Sequence, residues 1–572
     1  MLGATVYTFS IVLAVFLIGL GIGSSVASFV ARSALNARTA LVWCQALLVL
    51  ATAWAALMLT HSIPYWPVNP SLSLSPWYTF QLDFVRCLWV VLPAAILWGA
   101  SFPLAVAAAA PGKSDPGRLV GGLYAANTVG AIVGALVFSL GIVPSLGTQW
   151  AQRVLVILPA LAVGSLLGPG LFDRNGRDKT DLAGALVTVI GLAMFLSATV
   201  SAVPWGIAAY GRYMATYAYR CAPGIIPESK VPQGGSGPDA FCTYFGEGLN
   251  GTVAVTKLRS GVRNFHSAGK VQASTDPHDM RLQRLLGHIS ALAHPRPESA
   301  LVVACGAGVT AGSFVSHPYI KQIVICDIEP LVPRNVTPMF ERENNAVLKD
   351  PRTHVVFDDG RHFIRTTGQK FDIITSDPID PWVKGCAALN TEEYYGMCKE
   401  HLNPGGVMSL WIPLYESNEE TIKSVLATFF KVFPNGIVWT NDSEGEGYDA
   451  VLFGQREPTR INIDDWQDRI NRADHAEVKK SLAQVEFYTA TDLLATYAGQ
   501  AIDLKDWLRD AQINTDRNLR LQYLAGMWLN SYMGSALRQE IHVYYRFPEN
   551  LFYGSKKRKD LLKFSIEGNK GE

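Results

Sequence analysis

Six runs of about 20 apolar residues, near 5–31, 40–61, 87–110, 120–143, 154–172 and 182–204, fill the first third of this chain. A helix of that length spans the roughly 30 Å hydrocarbon core of a bilayer, and six in succession predict a multi-pass membrane domain over 1–205. Charge is distributed to match. Residues 1–205 hold only 14 of the chain's 49 basic and 48 acidic residues, and none of the 14 is Glu. The first run is too long for a signal-peptide core and is followed by further spans, so it is not a cleaved leader. Gly19, Gly21 and Gly23, and the Gly130-xxx-Gly134 spacing, predict close helix packing rather than a transport path. No run carries an acidic residue at its centre, which argues against an ion or proton pump.

Loop cations set an expectation for orientation. Arg32, Arg38, Lys113, Arg118, Arg174, Arg177 and Lys179 fall on one side of the spans, against Arg86 and Arg153 on the other. The positive-inside rule makes the first side cytoplasmic, which puts the C-terminal part outside with the N-terminus. Nucleotide chemistry would want the opposite, so the side stays open. A net charge of +1 excludes a nucleic-acid binder that works through bulk electrostatics. Eight Cys without a CxxC pair exclude a zinc ribbon and a disulfide-dense scaffold. Cys221 and Cys242 either pair across a Pro/Gly-rich loop or remain buried thiols.

Residues 206–275 read as a linker and a small β-rich domain. Prolines and glycines break regular structure over 223–238, and Thr252–Thr256 is the clearest strand. Strands and helices alternate through 276–460, the pattern of a parallel α/β sheet. A helical extension follows over 461–572, with 476–510 amphipathic and Leu482, Leu493, Leu494 and Trp507 on its core face.

The strand Ala300–Ala304 opens into Cys305-Gly306-Ala307-Gly308, the first turn of a nucleotide-binding βαβ unit. Gly306 and Gly308 let the backbone approach a ligand closely. The next strand ends at Asp327, 21 residues beyond Gly306, near the spacing of an acid that holds ribose hydroxyls. Two further strands end at Asp358-Asp359-Gly360 and at Asp377-Pro378-Ile379-Asp380. In an open α/β sheet ligands bind at the carboxyl ends of strands, so these groups converge on one cleft. His278, His288 and His317 lack metal-ligand spacing and read as packing residues; no metal site is expected. Lys556–Lys559 reads as a solvated tail.

The stretch 244–454 resembles the polyamine aminopropyltransferase (spermidine synthase-like) family. It does so through Gly246–Asn250, Gly269-Lys270-Val271-Gln272, Asp279–Arg284, Cys305–Gly312, Asp377–Trp382, Trp411–Glu416 and Ile513–Asp516. With Leu123–Thr128 in the apolar part, the whole chain is similar to bacterial membrane proteins described as fused transporter/spermidine synthases. Such relatives carry one more helix ahead of Met1, which implies a late start or a truncation. The resemblance implies a class I methyltransferase-type Rossmann-like domain in a bacterial inner-membrane protein, with decarboxylated S-adenosylmethionine as cofactor. By it, Asp327 would hold the ribose, Asp359-Gly360 the adenine and Gln272 the tail. Asp377 would be the catalytic base and Asp380 its companion.

Four positions depart from that pattern. Ala307 stands where the family has an Asp in the glycine loop. Leu282 and Arg284 stand where a Tyr-x-Glu motif meets the acceptor amine, and Asn390 replaces a Tyr. A cation at Arg284 in the acceptor cleft argues against plain putrescine. Three readings stay open: an aminopropyltransferase-like enzyme with an unusual amine acceptor, a methyltransferase using S-adenosylmethionine itself, and a catalytically degenerate membrane protein for assembly or partner binding. The partners implied are a lipid membrane, an amine-bearing acceptor and either a membrane-protein partner or a second copy. Trp382 and Trp411 either wall the acceptor cleft or pack.

Overall fold

The computed structural model describes residues 2–32, 36–66, 75–110, 115–172, 179–376, 380–415, 417–443, 446–528 and 534–568. The chain divides into two compact units, built essentially from Tyr7–Tyr219 and from Arg220–Glu572, with Glu247–Gly251 grouped with the first and Gly3–Val6 with the second.

Among the described residues the first unit contains six helices long and apolar enough to cross a membrane: Val6–Ala31, Ala37–Tyr65, Pro76–Ala109, Gly117–Leu146, Thr148–Leu171 and Lys179–Thr199. They match the six apolar runs. Small residues bring two of them together, but not the pair the spacing singled out. A Cβ at Gly23 would lie 1.8 Å from the Ile96 carbonyl oxygen, one at Gly19 2.4 Å from the Ala95 Cβ, and one at Gly99 2.4 Å from the Leu20 carbonyl oxygen. A Cβ at Gly130 or Gly134 would have open space, with nothing beyond the helix's own nearby backbone within 4 Å. The third helix also starts earlier than its apolar run. Asp83 and Arg86 therefore sit inside it, buried as an ion pair at 3.2 Å, with Arg212 3.3 Å from the same carboxylate.

Among the described residues the second unit holds two larger sheets and a two-stranded parallel pair, Ile461–Asn462 with Phe552–Tyr553. In the smaller of the two sheets, β1 (Cys221–Ile225), β2 (Ala240–Glu247), β3 (Thr252–Leu258), β4 (Arg263–Ser267) and β5 (Lys270–Ser274) lie in sequence order. The Pro/Gly-rich stretch thus begins with a strand, β1, which pairs parallel to β2. Cys221 and Cys242 are free thiols. The β4–β5 turn places Ala268 at φ 55° and Gly269 at φ 85°, the paired left-handed residues of a tight hairpin. That turn fixes where the next residue, Lys270, begins its strand.

The larger sheet has eight strands: β6 (Ser299–Val303), β7 (Gln322–Asp327), β8 (Thr353–Phe357), β9 (Phe371–Ser376), β10 (Leu402–Pro413), β11 (Ile437–Ser443), β12 (Glu446–Gln455) and β14 (Tyr497–Gln500). Ile461–Asn462 forms the short intervening β13, outside this sheet. Their order is β14-β11-β12-β10-β9-β6-β7-β8. Strands β6 to β10 are mutually parallel, and β12, β11 and β14 continue the sheet by antiparallel pairing. The sheet is mixed, not purely parallel, because after helix Glu419–Val432 the chain comes back as the antiparallel pair β11–β12, and β12 pairs antiparallel with β10. β6 is apolar without alternation since both of its faces are covered, and Leu301 to Val303 are all buried.

The C-terminal extension supplies β14, so it completes the sheet as well as adding helices. The 476–510 stretch is not one helix. A helix ends at Ala483, Glu486 takes a left-handed φ of 65°, and a Thr489/Asp492 capping box starts the short helix Ala490–Leu494. Leu482, Leu493, Leu494 and Trp507 are nonetheless buried core.

Candidate active site

Four parallel strands, β9, β6, β7 and β8, end side by side, and their carboxyl ends form one rim. The β6 end turns through Ala304 at φ 69°, Gly306 at φ 53° and Gly308 at φ 79°. A non-glycine residue at positive φ is strained, and such strain collects where backbone must meet a ligand. The loop is braced from behind. The Thr337 hydroxyl donates to the Gly306 carbonyl at 2.9 Å, and the Asn344 amide donates to the Ala307 carbonyl at 2.9 Å. A Cβ at Gly308 would meet Thr337 Cγ2 at 2.6 Å. The Ala307 side chain itself is buried in the core under β6 and β7.

Asp327, ending β7, faces this loop. Its two carboxylate oxygens accept the Cys305 and Glu329 backbone N–H groups, each at 2.8 Å. Burial pushes its pKa up to about 6, against the pull of those two hydrogen bonds. The neighbouring Ile328 turns an apolar side chain outward, 51% exposed. Asp359 is exposed and caps the helix Gly360–Thr366, accepting the His362 N–H at 2.9 Å. Gly360 packs so tightly that a Cβ would lie 2.5 Å from Val303 Cγ1. Gly306, Gly308, Asp327, Asp359 and Gly360 thus share the rim. Asp377 lies outside the described residues.

Asp380 is 2% exposed and both its oxygens are engaged from the small sheet. Gln272 Nε2 donates to one at 3.0 Å, and Lys270 Nζ to the other at 3.0 Å. Gln272 also donates to the Ser267 carbonyl at 3.2 Å. Around the Lys270 ammonium stand the rings of Tyr415 at 5.1 Å, Trp382 at 5.5 Å and Trp411 at 5.9 Å. Both tryptophans therefore wall a charged site as well as packing. Trp411 is pinned by its indole N–H, which donates to Asp449 at 2.6 Å.

The residues expected to alter the acceptor cleft are elsewhere. Helix Pro277–Ala293 buries Leu282, Leu285, Leu286 and Ile289, the i, i+3, i+4, i+7 stripe of a core-facing helix. Leu282 is therefore core. Arg284 is buried on the flank beneath helix Ala476–Ala483, where it donates to the Ser481 carbonyl at 3.0 Å and to the Ser481 hydroxyl. The expected charge clash at Arg284 is withdrawn, because its guanidinium is consumed by the extension. Asn390 accepts the Tyr395 hydroxyl at 2.9 Å and is structural in the same sense. Asn514 donates to the carbonyls of Ala387 and Asn390 at 3.0 and 2.8 Å, bracing the segment that follows Trp382. His288 and His317 are fully buried and hydrogen-bonded to each other at 3.0 Å. Among the described residues no cluster of His, Cys, Asp or Glu could hold a metal ion.

A spermine/spermidine synthase domain profile matches residues 279–440. Residues 279–440 carry a spermine/spermidine synthase domain. It contains the glycine loop, Asp327, Asp359 and Asp380, while Lys270 and Gln272 precede it in the small sheet. Curated relatives agree. A polyamine aminopropyltransferase of Thermotoga petrophila is 25% identical over 194 residues, covering 32% of this chain and 65% of that protein. One of Leptospira biflexa is 29% identical over 182 residues, covering 32% and 64%. The chain thus spans just under two thirds of the length of these relatives. Polyamine aminopropyltransferase 2 of Streptomyces coelicolor is 26% identical over 420 residues, covering 72% of this chain and 68% of that one. Residues 206–572 are less than two thirds of the chain, so this similarity reaches into the apolar helices. Among solved structures, a spermidine synthase from Thermotoga maritima aligns with a TM-score of 0.38 at 19% identity, covering 46% of this chain and 87% of that one.

Sequence reading missed Lys270, Tyr415 and Ile328 around the synthase domain. Lys270 stood in a recognised phrase, but its partners lie 110 and more residues away. Ile328 carried a signal, an apolar residue directly after a strand-end acid.

Proposed function

We propose that this chain is a membrane-anchored, spermidine synthase-like transferase that alkylates an amine, using decarboxylated S-adenosylmethionine. The observation that supports it most is the shared rim: a strained glycine loop, a buried acid beside it, an exposed Ile328 and an exposed helix-capping Asp359 on adjacent parallel strands. These fit a nucleoside. Loop amides and Asp327 suit a ribose, Ile328 offers an apolar face to a base, and Asp359-Gly360 closes the far side. When bound, the cofactor supplies a carbon activated by an adjacent sulfonium, so no metal is needed to make a leaving group.

The protein's part is then to position the amine and remove its proton. Asp377 is the proposed base, directly after β9, with Asp380 as the carboxylate that holds cationic charge nearby. Gln272 reaches the same place from β5 and ties the small sheet to Asp380. The six apolar helices anchor the enzyme in the membrane. The acceptor is an amine.

Product analysis tests this reading. Detergent-purified chain is incubated with decarboxylated S-adenosylmethionine and a panel of amines, and nucleosides are read by mass spectrometry. Aminopropyl transfer releases 5′-methylthioadenosine, whereas methyl transfer from S-adenosylmethionine releases S-adenosylhomocysteine. The expected result is amine-dependent methylthioadenosine, lost by about 100-fold or more in Asp377→Asn while nucleoside binding persists. Turnover by that variant at the wild-type rate would remove Asp377 from the role.

A further inference from the structure

An aromatic box with a carboxylate at its base is a chemistry that recognises alkylammonium ions. In this chain the box is already filled. The Lys270 ammonium lies within 6 Å of the Trp382, Trp411 and Tyr415 ring centroids and 3.0 Å from Asp380. The Tyr415 hydroxyl accepts from it at 3.4 Å. Trp382 is 1% exposed and Asp380 2%, so box and counter-ion are withdrawn from solvent. A lysine side chain ends in the same primary ammonium on a four-carbon stem that one end of a linear diamine presents. Its ammonium therefore matches such a ligand in charge, size and reach.

The arrangement is built and not incidental. The positive-φ pair Ala268-Gly269 sets the start of β5 so that Lys270 enters the box. Gln272, two residues on and on the same strand face, holds the second oxygen of Asp380. A free diamine would have to displace Lys270 and leave an ammonium stranded beside its own, which like-charge repulsion in a poorly solvated site disfavours.

We propose that Lys270 is the built-in occupant of an alkylammonium subsite and the residue that closes this site to free linear diamines. The acceptor is then a molecule whose single amine is the nucleophile and which asks for no second ammonium pocket. This rests on the reading of the cleft as an amine-alkylating site.

The test is calorimetric titration of the full-length, detergent-purified chain with 1,4-diaminobutane, comparing wild type, Lys270→Ala, Lys270→Ser and Lys270→Arg. The two small replacements open the box and leave Asp380 without its cation, and having two guards against one failing to fold. Either is expected to bind the diamine about tenfold or more tightly than wild type, with Lys270→Arg remaining as weak as wild type. Equal affinity in wild type and the opened variants would overturn the proposal. So would no affinity in an opened variant that melts cooperatively like wild type. Titration of the same samples with 5′-methylthioadenosine reports separately on the nucleoside rim. Its failure would count against the transferase reading and leave the diamine comparison standing on its own.

Discussion

Asp327 shows how far single residues carry the account. A carboxyl whose pKa is raised to about 6 by burial is held protonated more readily in the folded chain than in the unfolded one. The sign follows. Its ionised form costs the fold above about pH 6, and that cost disappears as the pH falls towards 4, so Asp327 favours folding on acidification. Nucleoside binding runs the other way, because a ribose diol donates to the ionised form. Affinity for 5′-methylthioadenosine is expected to fall by up to about tenfold per pH unit below 6, and Asp327→Asn to flatten that dependence. A pH-independent affinity would remove the ionised carboxylate from the site. Asp327 was legible in the sequence because strand, glycine loop and acid follow one another within residues 300–327. Lys270 was not, since its meaning depends on Asp380, Trp382, Trp411 and Tyr415, which only the packed sheets deliver.

Among elements, the glycine loop and its helix show why some glycines cannot be replaced. Helix Val309–Val315 leaves the loop and passes so close to the Asn344 backbone that a Cβ at Gly312 would lie 2.1 Å from the Asn344 carbonyl oxygen. Backbone cannot step aside as a side chain can. Gly312→Ala is therefore expected to destabilise the chain by about 1–3 kcal/mol and to weaken nucleoside binding with it, as measured by denaturant unfolding and titration. Gly130→Ala, with open space around it, is expected to change stability little. The Gly130-xxx-Gly134 spacing predicted close packing at Gly130, because a spacing says that two helices can approach and not which two do. Helix Pro277–Ala293 teaches the same lesson. Its core stripe places Leu282 inside, and its buried flank sends Arg284 to Ser481, nearly 200 residues on. A family comparison by position could not see that the extension covers this face.

At the scale of the whole molecule, the division into an apolar helical unit and an α/β unit was the most legible feature of all. It rests on composition summed over 200 residues, which no local rearrangement can disguise. Less legible was the C-terminal extension, whose β14 closes the edge of the large sheet and whose Asn514 braces the segment after Trp382. A strand of four residues inside an amphipathic stretch leaves no periodicity to read. Anchoring by the six helices predicts that the intact chain stays in the membrane pellet through an alkaline carbonate wash and needs detergent for release. Release by carbonate alone would make the helices an interior of some other kind. The proposed function requires the rim of the larger sheet to be a working pocket for a sulfonium nucleoside. It is tested most directly by calorimetric titration of the folded, detergent-purified chain with decarboxylated S-adenosylmethionine and, separately, with S-adenosylmethionine. Saturable binding is predicted, with the decarboxylated form preferred. Absence of binding for both, in a sample that melts cooperatively, would contradict it and favour the reading of a degenerate synthase domain.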